Sequence, residues 1–212
     1  MPLTIEIKRF LVVTVSLIAI CVPPLREYVD QKLKQHFKDL QNKKYGIDKQ
    51  TKTKHLKEDP WKKGSKFHYR GNSYNILNHN DLAKLYLQQD HMVRFLSVAD
   101  DSCDPSAILN LMALASCFTH EEAEKANTVR KEVRNQWAHC NLSSYTESYM
   151  EDVFRHLESI ADVLPSKEHI RRQLKQWRIH GFQLIQGSAE KVGKGCESYK
   201  MFCYKSRILF FK

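Results

Sequence analysis

The chain has 212 residues, 42% of them apolar, and a formal net charge of +10. That is enough apolar material for a core, and the length suits one domain with or without extensions. Seven Gly and six Pro are too few for a turn-rich β fold, so the composition points to an all-α protein. The sequence contains no P-loop, no dinucleotide-binding glycine fingerprint and no Gly-x-Ser-x-Gly elbow. The charge is uneven. Residues 1–30 balance; 31–70 hold 13 basic against 4 acidic residues, 71–165 hold 7 against 14, and 166–212 hold 11 against 3. The middle of the chain is therefore acidic and its two flanks are basic.

Residues 10–22 form an apolar run behind Lys8 and Arg9. Two readings are open. The run resembles a signal peptide, with Ala19-Ile-Cys21 as a cleavage site. Alternatively it is a buried helix, which Glu6, Thr14 and Ser16 favour, and this reading is preferred. It is too short to span a bilayer, where about 20 residues are needed, so no stable membrane insertion is expected. Pro23-Pro24 then introduces a second stretch with Leu25, Tyr28, Val29, Leu33 and Phe37 at helical spacing.

Residues 38–75 hold the densest basic charge, including Lys62, Lys63, Lys66 and Arg70, interleaved with Trp61, Phe67, Tyr69 and Tyr74. This combination can grip phosphates while bases stack on rings. It is also the composition of a solvated insertion. Asn80 or Asp81 is placed to cap a helix running from Leu82 toward Leu96. Asp104 is a natural N-cap with Pro105 at the first helical position, opening a buried helix through Ile108, Leu111, Met112 and Ala115. Thr119-His-Glu-Glu122 is a capping box that starts a helix ending near His139.

On that helix Ala126, Val129, Val133 and Trp137 form an apolar stripe. Arg130 and Arg134 lie one turn apart, as do Asn135 and His139. Asn135 and His139 are about 40° apart around the axis, and Arg134 is about 100° from Asn135. An arginine suits phosphate, and a histidine takes or gives a proton near neutral pH. Side by side they suit cleavage of an RNA backbone without metal. The imidazole would act on the 2′-hydroxyl or the leaving oxygen, and the guanidinium would stabilise charge on phosphorus. The same residues also suit a solvated helix end, where a histidine complements the dipole.

Residues 143–164 continue as a helix capped by Ser143 or Ser144 and stopped by Pro165, with Tyr145, Tyr149, Val153, Phe154, Leu157 and Ile160 facing inward. Tyr145 and Tyr149 are read as packing residues rather than base-stacking ones. Residues 166–187 form a basic helix, with Ile170, Leu174, Trp177 and Ile179 against Arg171, Arg172, Lys175 and Arg178. It would lie on RNA or on the acidic surface of 71–165. The tail 188–212 shows no helical period. None of the six cysteines forms a C-x-x-C pair, so no metal site is expected. Cys21 and Cys117 are placed in apolar helices, and reduced thiols in a cytoplasmic or nuclear protein are the simpler account.

Arg134-Asn135-x-x-x-His139 resembles the signature of the HEPN superfamily. Asp104-Pro-Ser-Ala-Ile-Leu-Asn-Leu-Met112 and Val133-Arg-Asn-Gln-Trp-Ala-His-Cys140 are similar to the branch found in the DAZ-interacting zinc-finger ubiquitin ligase and its relatives. The similarity is clearest over 100–165. It implies a HEPN-like helical bundle over 1–165, with 38–75 as a basic insertion and 166–212 as a basic helix and tail. It further implies a homodimer that binds RNA and, as in many members, a metal-independent endoribonuclease needing no cofactor. Arg134, Asn135 and His139 would then be the active residues. Arg130, Lys62, Lys63, Lys66, Arg70, Arg171, Arg172 and Arg178 are candidate RNA contacts. The alternative is a helical dimerisation or protein-interaction module without catalysis.

Overall fold

The computed structural model describes residues 3–41, 76–87 and 95–186, and all regular structure within them is helical. Lys62, Lys63, Lys66 and Arg70 lie outside the described residues, as does the tail 188–212.

Helix α1 (Ile5–Thr14) starts at Thr4, whose hydroxyl accepts the Ile7 amide. It continues through a π-helical stretch, Val15–Cys21, into α2 (Val22–Gln41). Pro23-Pro24 therefore does not start a separate segment. A proline ring collides with the carbonyl four residues back and brings no N–H. The π stretch just before it bonds five residues back, as from the Val22 amide to the Leu17 carbonyl. That wider turn lets the prolines stay inside the helix. Phe10, Val12, Val13, Leu17, Cys21, Leu25, Val29 and Leu33 are all buried. Each large apolar side chain so buried stabilises by about 1.5–3 kcal/mol. Among the described residues no helix is long and apolar enough to cross a membrane.

Helix α3 is short (His79–Lys84), and its cap is Asn78, which accepts the amides of Asn80 and Asp81. The two residues expected to cap it are used elsewhere. Asn80 accepts the Val98 amide and Asp81 the Leu77 amide. Helix α4 (Pro105–Leu114) begins as the sequence predicts, with Asp104 accepting the Ser106 amide. Cys117 lies in the turn after it, not in a helix.

Helix α5 (His120–Thr128) carries the full capping box between Thr119 and Glu122. It passes through a second π stretch, Val129–Arg134, into α6 (Asn135–His139). After a 3-10 turn, Leu142–Ser144, helix α7 (Glu147–Ala161) is capped by Thr146 rather than Ser143 or Ser144. Helix α8 (Lys167–Ile185) closes the described fold.

Ile170, Leu174 and Trp177 of α8 belong to the same core as the rest. Ile179 does not. It is exposed, because it sits nine residues after Ile170 and so about 180° around the helix. Trp177 donates to the Val12 carbonyl at 2.9 Å, and Lys8 donates to the Ile185 carbonyl at 3.4 Å, so α8 runs antiparallel to α1. At the crossing Gly181 faces Val12. A Cβ on Gly181 would lie 2.8 and 2.9 Å from the two Val12 methyls.

Candidate functional site

The signature sits on the last part of the helical run from His120 to His139. Its apolar stripe behaves as the spacing predicts. Ala126, Val129 and Val133 are buried, and the half-buried Trp137 donates its indole N–H to Thr14 Oγ1 of α1 at 3.0 Å. From the other side Tyr149 donates to the Glu132 carbonyl at 2.9 Å and Tyr145 to the Gln136 carbonyl at 3.3 Å. Tyr145 is buried edge-on between Phe10 and Tyr149. Both tyrosines thus pack and hold the helix. Burial pushes the Tyr149 hydroxyl up to about 12, so it stays a donor across the neutral range.

Arg134 and Asn135 come together, with Arg134 Nη1 3.4 Å from Asn135 Oδ1. The stronger contact of Arg134 is with Asp104. Both carboxylate oxygens accept from Nη2 at 2.9 Å. Asp104 is also the N-cap of α4, so this ion pair ties the signature helix to the start of α4. The Arg134 side chain is 18% exposed and its Nε is buried without a partner among the described residues. Arg130 is similar, with Nη2 on Asn127 Oδ1 at 3.2 Å and an unpartnered buried Nε.

His139 stands apart. It is exposed at the end of α6 and makes no hydrogen bond or ion pair among the described residues. It lies five residues beyond Arg134, about 140° around an α-helix. Among the described residues no hydrogen bond joins His139 to Arg134 or Asn135, whereas those two meet each other. Arg134 and Asn135 share the root of α6, and His139 is at its tip. The helix ends there because Cys140 adopts a left-handed conformation, φ 49° and ψ 36°. A cleft of about 330 Å3 lies elsewhere, lined by Lys32, Gln35, His36, Asp39, Leu40, Ser116 and Cys117, and no signature residue lines it.

The basic helix divides its arginines. Arg171 pairs with Asp162 at 2.5 Å, and Arg178 pairs with Glu151 and lies over the Phe154 ring. Both fasten α8 to α7, which is the intramolecular use of the acidic segment. Arg172 is exposed and has no ion pair among the described residues. Among the described residues no group of three His, Cys, Asp or Glu could hold a metal ion. Among the described residues Cys21, Cys103 and Cys140 are free thiols. Burial pushes the Cys103 thiol up to about 11, which keeps it protonated and unreactive.

The residue that sequence reasoning missed is Asp104. Its capping role is local and legible, since Asp-Pro opening an apolar run is a helix start. Its ion pair joins positions 30 apart, and no spacing rule reaches that far. Comparison of the chain with protein-family models, with curated proteins and with solved structures finds no match.

Proposed function

We propose that the chain is a HEPN-type RNA-binding module that presents Asn135 and His139 to RNA, with a second copy of the chain completing the site. The observation that carries this reading is the contrast along one helix. Arg134 is anchored to Asp104, while His139 is exposed and uncommitted at the tip. A rigid root and a free imidazole are what a proton-transfer group needs, since its ring must reach a 2′-hydroxyl or a leaving oxygen without moving the backbone. Where cleavage occurs, His139 is the acid–base group, Asn135 orients and Arg134 clamps the phosphate. No metal ligand is required for this chemistry.

One observation favours the second reading, a helical interaction module without catalysis. Arg134 is already paired with a carboxylate in the single chain. The two readings separate on single-stranded RNA incubated with the full chain in EDTA. Cleavage that disappears in His139→Ala supports the first. Salt-sensitive binding without cleavage, equal in wild type and His139→Ala, supports the RNA-binding part and removes the catalytic one. Absence of both binding and cleavage leaves the interaction module.

A further inference from the structure

Arg134 is the only residue of the signature that brings a permanent charge, and in this chain the charge is already answered. We propose that Asp104 sets RNA affinity at the signature by acting as an internal anion that competes with a phosphodiester for Arg134. The inference rests on the RNA reading of the site.

The geometry is specific. Both oxygens of Asp104 face the same Nη2 at 2.9 Å. The carboxylate is held from behind, because its Oδ1 also accepts the Ser106 amide at 2.6 Å. It therefore keeps its place when the guanidinium is offered another anion. The edge of Arg134 that carries Nε is buried, so a phosphate can approach only from the Nη side, and that side is occupied. The exposures are unequal as well. The Asp104 side chain is 45% exposed against 18% for Arg134. An incoming phosphate meets a negative group before it meets the positive one. Charge and shape thus both make Asp104 a rival of the ligand. Nη1 keeps only the long 3.4 Å contact with Asn135 Oδ1, so the carboxylate on Nη2 is the charged rival that a phosphate must displace.

Asparagine tests this cleanly. It caps helices as well as aspartate and keeps an oxygen for the Ser106 amide, but it removes the charge. The experiment measures anisotropy of a labelled single-stranded oligoribonucleotide of mixed sequence, titrated with the full chain between about 50 and 200 mM salt. Wild type is compared with Asp104→Asn, Asp100→Asn, Arg134→Ala and the Asp104→Asn/Arg134→Ala pair. Asp100 lies in the same loop and binds Ser102, so its variant controls for loss of one negative charge.

The expected result is that Asp104→Asn binds roughly threefold tighter, and that its slope of log affinity against log salt steepens by about 0.7, as one added phosphate contact on a single strand requires. Asp100→Asn leaves the slope unchanged, and adding Arg134→Ala abolishes the gain. Asp104→Ser, which also caps, repeats the measurement if the asparagine variant melts early. Unchanged or weaker binding by both variants overturns the inference, as does a gain that survives Arg134→Ala. If neither wild type nor any Asp104 variant binds RNA, the RNA reading itself fails.

Discussion

Substituting Gly181 by alanine sets two effects of known sign against each other. In an exposed helix the change would stabilise by about 1 kcal/mol, because glycine is a poor helix former. Here the added Cβ would come within 2.8 and 2.9 Å of the Val12 methyls. Val12 is fully buried, and its carbonyl accepts from both Trp177 Nε1 at 2.9 Å and Ser16 Oγ at 2.8 Å. Its β-branched side chain has little rotamer freedom to yield. The two helices must therefore separate by several tenths of an ångström. Overpacking of this kind costs about 1–3 kcal/mol, and weakening the indole bond adds up to about 1 kcal/mol. Net destabilisation of about 1–2 kcal/mol is expected, which lowers the melting temperature by about 2–8 °C for a chain of this size. Urea unfolding monitored by circular dichroism measures it. Val12→Ala should relieve the clash, so the double variant should be more stable than the sum of the two single changes. A Gly181→Ala protein at least as stable as wild type would refute the close-crossing argument.

Two further outcomes follow from local geometry. Cys140→Gly should stabilise by about 0.5–1 kcal/mol, because a left-handed residue with a Cβ is strained and glycine is not; a denaturation midpoint that does not rise would contradict this. Glu122 is pushed upward by burial. Hydrogen bonds from the Tyr28 hydroxyl, the Thr119 amide and the Thr119 hydroxyl, with Lys32 nearby, outweigh burial and hold its carboxyl below the usual range. A depressed folded value contributes stability that is present above the unfolded value near 4.3 and is lost as pH falls through the folded one. Melting curves of Glu122→Gln should thus lie below wild type at pH 7 and approach it below about pH 4.

Helix starts were legible where the cap is a local choice with one good candidate. Asp104-Pro105 and Thr119-x-x-Glu122 are of this kind, and both caps form as read. Where several hydroxyls crowd together, local chemistry does not choose. Ser143, Ser144 and Thr146 all qualify, and Thr146 takes the role because a 3-10 turn occupies Leu142–Ser144. The same holds for Asn78, Asn80 and Asp81. The π stretches left no trace in the apolar period, so the continuation of the first helix past Pro23-Pro24 was invisible. At the site, the buried stripe of the signature helix and the exposure of its end were readable from spacing. The engagement of Arg134 was not, because it depends on which distant carboxylate the packing delivers. Arg171 and Arg178 show the same limit. Their charge is plain in the sequence, and its use against Asp162 and Glu151 depends on how α8 lies on α7.

The second π stretch has a consequence of its own. A π turn holds one residue more than the α turn it replaces, so Val129–Arg134 works as a phase shifter between two ordinary helices. Upstream, the phase is set by Ala123 and Ala126 in the interior; downstream, by Trp137 against Thr14. Shortening the stretch by one residue would restore regular pitch and carry everything after it about 100° around the axis. Trp137 would leave its threonine, and Asn135 and His139 would come to face another part of the surface. The direction in which this helix tip looks is therefore encoded in a single extra residue several positions before it.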